Sequence, residues 1–368
     1  PEHTSAPEIT GGYLLKVDRT DANERTFSAG GLTINYVEPD GLLMVTPQWQ
    51  PQANYIRDYI NAMYSAIQGS TYANYIDVES FLDHNLLIML PMNIDGMRLS
   101  GYFFKPRDQV DRYGNVIKPG KFEMGPVWDF DRSQGSTRGE EGFNWRPWDP
   151  MAWNGQNSSA TATSGDPGTA FFDSNGVFGN PWYLNLFRKI DFWQQYVDRY
   201  QELSDGPFST NHIFAIIDQL GEELAESQVR EQAKWGGDGS GANTAPRTGT
   251  LTRYDYTHTF DGTYQAEIDF NKKWFADRVY FIDTQFLARP IFSSAGGDVS
   301  PGYQLNITGP GGSTVYYTLD GTDPRAPGGN PAPGALSGAG SVTVTVNENA
   351  HIFARSYNPN HSNLTGDL

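Results

Sequence analysis

The spacing of apolar and polar residues predicts two helices early in the chain. From Gln52 to Gln68, apolar residues recur at helical spacing and form one wide stripe, which is typical of an amphipathic helix. A second helix is predicted from Val78 to Leu90. Asp77 is its predicted N-cap, because a carboxylate there can accept the free amides of the first turn. Pro91 follows, and the residue before a proline disfavours helical geometry, so the helix should end at or just before Leu90.

The segment from Phe81 to Gly135 is the one around which we expect the chain to be organised. After the second helix comes a polar loop with Asn93 and Asp95, and then a predicted aromatic strand through Tyr102–Phe104. A polar turn follows, and a second strand is predicted to lead into Trp128–Asp131. Such a hairpin would bring two short acidic segments together, so we expect the chemistry of the protein here.

Further elements are predicted on both sides of this segment. Before it, the pattern indicates strands at Gly11–Asp18 and Leu32–Val37. After it, apolar residues at helical spacing predict helices over Pro181–Glu202, Asn211–Trp235 and Asn271–Leu287. The first part of the chain therefore mixes helices with strands.

A long stretch from Ser133 to Gly179 shows no periodic pattern and is rich in Gly, Ser, Asn and Trp. Loops of this length are either functional lids or disordered insertions. Trp145, Trp148 and Trp153 suggest that its first part is packed down or lines a cleft. Gly236–Thr250 is interpreted as a flexible connector.

The composition changes at residues 288–290, and we predict a domain boundary near residue 290. Beyond it, short β-type runs alternate with turns rich in Gly, Pro and Asn, which is the pattern of a small antiparallel sandwich. The runs are Gln304–Thr308, Thr314–Leu319, Ser341–Val346 and His351–Ser356. The predicted fold class is therefore α+β over residues 1–290, followed by an all-β sandwich over residues 291–368.

Composition and charge narrow the range of partners. The chain has 368 residues and a formal net charge of −17, which argues against nucleic acid or an anionic membrane as the main partner. It contains no cysteine, so disulfides, thiolate metal sites and thiol nucleophiles are excluded. No apolar run approaches the roughly 20 residues that a membrane span needs.

Asp129 and Asp131 are the strongest candidates for metal ligands. Two aspartates two positions apart can converge on one cation, and Asn93 and Asp95 are expected nearby. Oxygen donors of this kind suit Mg²⁺ or Mn²⁺ better than Zn²⁺. The alternative is a turn whose aspartates cap backbone amides. The histidines are scattered and form no pair at ligand spacing, so a histidine zinc site is not expected.

The string Asn93–Gly96 has two interpretations. It is a turn-forming sequence in its own right, but it stands between a buried helix and the aromatic hairpin, opposite Asp129. Arg98 and Lys105 flank it and could pair with phosphate or with surface carboxylates. The sequence contains neither a GxSxG nucleophile elbow nor a P-loop, and no carboxylate pair is marked out as that of a glycosidase.

Several strings resemble the spore-coat protein H (CotH) kinase family, whose members are atypical protein kinases with a kinase-like fold. The most specific is MGPVWDFD at Met124–Asp131, and the others are GGYLL at residues 11–15, YIDVESFLD at 75–83, NIDG at 93–96, WYLNL at 182–186 and WFADR at 274–278. The resemblance spans roughly residues 9 to 290. It implies a mostly helical lobe with a central β-hairpin and phosphate transfer from ATP to protein serine and threonine.

The resemblance also implies roles for individual residues. Asp95 would be the catalytic aspartate that orients or deprotonates the acceptor hydroxyl. Asp129 and Asp131 would bind Mg²⁺ or Mn²⁺, and Asn93 and Lys105 are the predicted cofactor-binding residues, with Asn93 also a candidate metal ligand. Positioning and charge neutralisation are what phosphoryl transfer mostly requires of a protein.

In the family, an N-terminal portion precedes the GGYLL strand and supplies much of the nucleotide-binding lobe, including its lysine. The resemblance therefore implies that this lobe is incomplete in residues 1–290, and that a further polypeptide could supply it. Lys16 lies on the GGYLL strand, but nothing in the sequence marks it as the nucleotide lysine.

The C-terminal part has its own resemblance. The string VYYTLDGTDP at Val315–Pro324, followed by AHIFARS at Ala350–Ser356, is similar to the small Ig-like domain at the C-terminus of chitobiases and many secreted bacterial proteins. This implies a spacer or surface-interaction domain on a secreted or cell-surface bacterial protein, acting on a protein substrate or an extracellular partner. Two other functions stay open: a non-catalytic extracellular binding or structural protein on the same fold, and a carbohydrate-associated protein.

Overall fold

The protein is described from a computed structural model, and its residues form two compact units. The described residues are 3–93, 95–96, 99–131, 133–135, 149–151, 180–235, 246–253 and 256–359. The first unit contains the described residues of Pro1–Ala162, Ala170–Leu186 and Arg199–Val279, and the second contains those of Phe187–Asp198 and Tyr280–Leu368. Arg98, the three tryptophans of the predicted irregular stretch and most of the rest of that stretch lie outside the described residues.

Strands in the first half of the chain form one five-stranded sheet and one small hairpin. They are β1 (Tyr13–Val17), β2 (Thr26–Ala29), β3 (Leu32–Glu38), β4 (Gly101–Lys105), β5 (Gln109–Val110), β6 (Val116–Lys118) and β7 (Glu123–Met124). The sheet has the antiparallel order β2–β3–β1–β4–β7, and β5 pairs with β6. β1 and β3 confirm the strands predicted before the central segment. β1 buries Tyr13 and Leu15 on one face, as period-2 alternation requires.

The α-helices of the described residues are α1 (Gly41–Met44), α2 (Gln50–Gln68), α3 (Val78–Met89), α4 (Pro181–Leu186), α5 (Ile190–Ser204), α6 (Thr210–Leu224), α7 (Ser227–Trp235) and α8 (Tyr264–Gln285). Of these, α2 and α3 confirm the two helices predicted early in the chain. Asp77 caps α3 as predicted, because its Oδ1 accepts the amide of Ser80 at 2.9 Å. Helices and antiparallel strands together confirm the predicted α+β class. In the described part of the chain, no helix has the length and apolar character to cross a bilayer.

The later helices differ from the prediction in their bounds. The segment predicted as Pro181–Glu202 is two helices, α4 and α5, and Asn211–Trp235 is also two, α6 and α7. Apolar spacing continues through both breaks, so periodicity alone did not reveal them. At the second break, Ser227 Oγ donates to the carbonyl of Leu224 at 3.2 Å and helps to satisfy the end of α6. α8 begins earlier than predicted because Thr263 Oγ1 accepts the amide of Ala266 at 3.1 Å.

A hairpin occupies part of the predicted connector Gly236–Thr250 and the residues after it. It consists of β8 (Thr248–Arg253) and β9 (Tyr256–Asp261), which pair antiparallel. Its exposed cross-strand threonines pair, Thr250 with Thr259 at 2.8 Å between hydroxyl oxygens. The prediction of a connector is therefore wrong from Thr248 onward, and residues 236–245 lie outside the described residues.

The central hairpin is present, but its second strand is shorter than predicted. β4 pairs with β7, and the pairing ends at Phe103 and Met124. Gly125 then has a φ of +122°, and Pro126 has no amide hydrogen to donate to a sheet. The backbone leaves the sheet at this point, so Trp128–Asp131 is a loop. The prediction that a strand leads into these residues is wrong.

An aromatic cluster fixes α4 against this sheet. The ring centroid of Trp182 lies 5.2 Å from that of Phe103 and 5.7 Å from that of Phe122, both edge-on. The indole Nε1 donates to the carbonyl of Gly30 at 2.8 Å, which satisfies the one polar group that the ring buries. These rings are almost fully buried. β4, which follows the loop with Asn93 and Asp95, therefore packs on a rigid core.

The second unit contains two three-stranded antiparallel sheets. Their strands are β10 (Ile291–Phe292), β11 (Tyr303–Thr308), β12 (Thr314–Thr318), β13 (Leu336–Ala339), β14 (Ser341–Val346) and β15 (Phe353–Tyr357). The orders are β10–β11–β14 and β13–β12–β15, and the shared core consists of Leu305, Ile307, Val315 and Val344. The predicted β runs beyond residue 300 are thus confirmed to within a few residues. The boundary near residue 290 and the Ig-like type stay predictions.

Candidate functional site

Asn93 is the residue that joins the two acidic segments. It follows the end of α3, and its side chain is fully buried. Its Oδ1 accepts the amides of Asp95 at 3.0 Å and of Gly96 at 3.2 Å, which closes a tight turn. Its Nδ2 donates to the backbone carbonyl of Asp129 at 2.9 Å. One amide group therefore shapes the loop of Asp95 and holds the loop of Asp129 beside it.

Asp95 lies in this turn with only 7% of its surface exposed. Its carbonyl accepts the amide of Leu99 at 2.8 Å, so the turn continues as a compact loop toward β4. Gly96 packs closely against α3, because a Cβ added to it would meet the terminal methyl of Ile88, which would have to move. The end of α3 and the loop are thus closely packed, and the turn leaves little of Asp95 exposed.

Asp129 lies on the facing loop with an exposed side chain. Its φ is +62°, in the left-handed region that few non-glycine residues adopt but that aspartate tolerates. The carbonyl of Asp129 accepts from Asn93, and Ser100 Oγ donates to its Oδ2 at 3.2 Å. Residues in sparsely populated backbone conformations are frequent at functional sites, and this one also has an accessible carboxylate.

Sequence reasoning missed Ser100. Ser100 is buried, with 6% of its surface exposed, and its φ is +52°. It is the last residue before β4, so its hydroxyl reaches the Asp129 carboxylate on the neighbouring loop. A polar residue directly before a buried strand and next to Gly101 is the only local signal, and a turn explains that signal equally well.

Asp131 is exposed and lies two residues beyond Asp129 on the same loop. Among the residues that the structure describes, no three His, Cys, Asp or Glu side chains are grouped as a metal site. Mg²⁺ is usually bound by only one or two carboxylates, together with phosphate oxygens and waters. The oxygen donors of Asp129 and Asp131 therefore fit Mg²⁺ chemistry, with the remaining positions left for phosphate and water.

Lys105 lies at the other end of β4 from Asp95 and Asp129. It ends β4, whereas the acidic loops lie at the start of that strand, about 13 Å away at about 3.3 Å per residue. Its side chain is 1% exposed, and Nζ donates to the carbonyls of Thr10 at 2.7 Å and Pro106 at 3.1 Å. Burial lowers the pKa of this ammonium group to about 8, against the smaller opposing effect of Asp108. The cofactor-binding role of Lys105 stays a prediction.

Lys16 lies on β1, opposite Tyr102 of β4. Its ammonium group forms an ion pair with Glu24 at 2.6 Å and lies 3.8 Å from Asp18. Glu24 also accepts a hydrogen bond from Asn35 at 3.0 Å, so the pair belongs to a small polar network on the sheet. The structure thus places this lysine in a carboxylate network on the sheet.

The arrangement as a whole can position an acceptor group and a metal-bound phosphate. Asp95 is largely buried, and Asp129 has an exposed side chain on an adjacent loop. Asn93 hydrogen-bonds to both loops. Phosphoryl transfer uses a carboxylate that positions the acceptor together with oxygen ligands for a divalent cation.

Comparison with known proteins gives a family match. The family model described as CotH kinase protein matches residues 5–281, which is more than half of the chain. The matched range contains both acidic loops and the sheet that carries them. No curated protein and no solved structure matches the chain.

Proposed function

The chain belongs to the CotH kinase family, and from this premise we propose that it transfers a phosphoryl group from ATP to serine or threonine hydroxyls of a protein. The observation that carries the proposal is the double contact of Asn93. Its amide closes the turn of Asp95 and binds the carbonyl of Asp129, so that a base and a metal ligand belong to one site.

In this proposal Asp95 orients the acceptor hydroxyl and takes its proton. The hydroxyl oxygen then forms a bond to the γ-phosphorus of ATP, the bond to the β,γ-bridging oxygen breaks, and ADP leaves. Because the transition state is loose, the protein contributes mainly position and charge neutralisation. The buried turn at Asn93 limits the movement of the Asp95 carboxylate, which is what such positioning needs.

Asp129 and Asp131 would hold the divalent cation. When bound, Mg²⁺ neutralises the charge that develops on the phosphate oxygens. Ser100 contributes by fixing the Asp129 carboxylate through its hydroxyl. Partners that hydrogen-bond a ligating carboxylate commonly affect metal affinity and activity by about 10- to 100-fold.

Calorimetry with ATP, in the presence and absence of Mg²⁺, tests this assignment. We expect saturable, Mg²⁺-dependent binding in the wild type and its loss in Asp129→Asn. Asp95→Asn should bind Mg²⁺–ATP as the wild type does, because Asp95 acts on the acceptor and not on the nucleotide. Asp58→Asn is the matched control, since Asp58 is exposed on α2 and forms an ion pair with the adjacent, exposed Arg57.

A folded wild-type protein that does not bind ATP at any Mg²⁺ concentration would contradict the proposal. That result would favour the alternative of a non-catalytic extracellular protein on the same fold. Binding of insoluble polysaccharide by the same preparation would favour the carbohydrate-associated alternative.

We also propose that the protein acts outside the cell or at its surface, on an extracellular protein substrate. The support is the YTLDGTDP string on β12 and after it, which is similar to domains of secreted bacterial proteins. Protease treatment of intact producing cells tests this. Digestion of the protein without lysis is expected, and full protection until lysis would contradict it.

A further inference from the structure

The loop that begins at Asp129 is held at its far end by Gln134 and Gly135. The amide of Gln134 donates to the carbonyl of Pro91 at 2.8 Å, which links this end of the loop to the Asp95 loop a second time. Both residues have positive φ values, +55° and +70°. The loop is therefore fixed at both ends against the same segment.

Arg247 binds this far end. Its guanidinium donates to the carbonyl of Gly135 at 3.3 Å through one terminal nitrogen. The remaining donors bind Glu267 on α8, with 2.9 Å from Nε and 2.5 Å from the other terminal nitrogen to Oε2. The backbone amide of Arg247 also donates to Glu267 Oε1 at 2.6 Å. Glu267 thus orients the guanidinium that reaches the loop.

Two aromatic rings enclose the guanidinium. Its central carbon lies 4.1 Å from the ring centroid of Phe260 on β9 and 4.6 Å from that of Phe270 on α8. The side chains of Arg247 and Glu267 are only 19% and 24% exposed. A planar guanidinium that both stacks and makes bidentate hydrogen bonds is a geometry that lysine cannot reproduce.

Phe270 also closes over Gly135. A Cβ on Gly135 would lie 2.9 Å from Cζ of this ring, so the glycine is needed for the close approach. The same ring therefore contacts both the arginine and the residue that the arginine binds. We call the group formed by Arg247, Phe260, Glu267 and Phe270 the loop socket.

We propose that Arg247 is a positioning residue for metal binding, which acts through Gly135 to keep the Asp129–Gly135 loop in the conformation that presents Asp129 to the cation. The inference rests on the proposed function. In the proposed site, Arg247 would touch neither substrate nor cofactor. It fixes one end of the loop, while Asn93 and Ser100 fix the other.

The test measures the Mg²⁺ concentration that gives half-maximal ATP binding, using MgCl₂ and ATP as probes. Arg247→Met keeps the apolar length of the side chain but removes every donor, and Glu267→Gln leaves the arginine in place but weakens its orientation. We expect the half-maximal Mg²⁺ concentration to rise about 10- to 100-fold in Arg247→Met and by less in Glu267→Gln. Arg230→Met is the control, because Arg230 is exposed and forms an exposed ion pair with Glu226.

ATP binding at saturating Mg²⁺ separates positioning from general disruption of the site. Folded Arg247→Met should then bind ATP with the stoichiometry and affinity of the wild type, because only the affinity for Mg²⁺ depends on the loop position. A loss of ATP binding that saturating Mg²⁺ does not restore would overturn the proposal. So would an unchanged Mg²⁺ requirement in the folded Arg247→Met or Glu267→Gln protein.

Hydrogen exchange of the peptide covering residues 126–135 gives a readout that does not depend on nucleotide. The Gln134 amide should exchange faster in Arg247→Met than in the wild type and the Arg230→Met control. Unchanged exchange would overturn the contact between the loop socket and the loop. If the wild type binds no Mg²⁺–ATP, the proposed function and the metal-positioning role both fail, and faster exchange in Arg247→Met would show that the failure lies in the function and not in the loop contact.

Discussion

Asn93 uses both ends of its amide group, and each end serves a different loop. Its oxygen binds the amides of Asp95 and Gly96, and its nitrogen binds the carbonyl of Asp129. A buried polar group whose hydrogen bonds are all made contributes little net energy, but removing one partner leaves the other groups without compensation. Substitution at this position is therefore informative about the whole site.

Asn93→Ala is expected to destabilise the protein by about 1–3 kcal/mol, because it leaves buried backbone groups unpaired. Mg²⁺-dependent ATP binding should weaken in the same variant, since the Asp129 loop loses its hydrogen bond to the Asn93 side chain. Urea unfolding and calorimetry measure the two effects. Asn211→Ala, at an exposed position in the first turn of α6, should change neither. Wild-type binding by a folded Asn93→Ala protein would contradict the role assigned to this amide.

Lys105 gives a prediction about pH. Its pKa in the folded protein, about 8, lies below the value of about 10.4 expected in the unfolded chain. Between these values the unfolded state binds more protons than the folded state, so this residue makes stability rise with pH. Below pH 8 the folded protein carries the full cost of a buried charge.

Lys105→Met should therefore change the pH dependence of unfolding. The difference in unfolding free energy between wild type and variant is expected to shift in favour of the wild type as pH rises from 7 to 9.5. Urea unfolding at several pH values measures it. A difference that is constant over this range would show that the ammonium group has an ordinary pKa.

At the scale of elements, α3 and the central hairpin place the site. α3 ends at Met89, four positions before Asn93, and β4 begins directly after Ser100. The Asp95 loop is thus anchored by a helix on one side and by a sheet strand on the other. Sites built between rigid elements keep their geometry better than sites on long free loops.

Asp77→Ala should show how far the site depends on α3. Loss of the N-cap hydrogen bond to Ser80 is expected to cost about 0.5–2 kcal/mol. Because the cap lies at the opposite end of α3 from Asn93, the Mg²⁺ requirement for ATP binding should stay as in the wild type. Thermal unfolding and calorimetry check the two parts. An unchanged unfolding temperature would mean that the cap carries no stability.

Local patterns in the sequence correctly predicted several of these helices and strands. Helix α3, its cap and β1 follow from periodicity and capping chemistry, which are properties of neighbouring residues. The sequence predicts a strand that leads into Trp128–Asp131, where the structure has a loop, because an aromatic and acidic string does not reveal the positive φ of Gly125. The β8–β9 hairpin was missed because its strands follow a glycine-rich stretch that looks like a connector.

Of the candidate site, Asn93, Asp95 and Asp129 could be found from short strings, and the structure brings these three together. Ser100 and Arg247 could not, because their contacts depend on pairing across distant elements. Lys105 was predicted from its closeness in sequence, and the structure does not bring it to the site. It lies ten positions after Asp95, but the extended strand β4 carries it about 13 Å away, at about 3.3 Å per residue.

At the scale of the molecule, the second unit contains its own charge network. Asp198 accepts hydrogen bonds from Arg355 at 2.7 and 2.9 Å and from Arg325 at 2.6 Å. Arg355 also binds Asp323 at 2.6 and 2.7 Å. Asp323 belongs to the YTLDGTDP string, so this string takes part in structural contacts of its unit.

Arg355→Gln is expected to destabilise the second unit by about 1–3 kcal/mol, because two carboxylates lose charge-assisted hydrogen bonds. A double-mutant cycle of Arg355→Gln with Asp198→Asn should show coupling, since the two side chains are in direct contact. Urea unfolding monitored by fluorescence measures it. Strictly additive losses would contradict a shared network.

The central claim is that Asn93 joins Asp95 and Asp129 into one phosphoryl-transfer site in a member of the CotH kinase family. Its most direct test is phosphate transfer from ATP, with Mg²⁺, to a degenerate library of serine- and threonine-containing peptides, detected by mass spectrometry. We predict phosphorylated peptides with the wild type and with Asp58→Asn, and none above background with Asp95→Asn or Asp129→Asn. Equal phosphorylation by the wild type and by both site variants would contradict the claim.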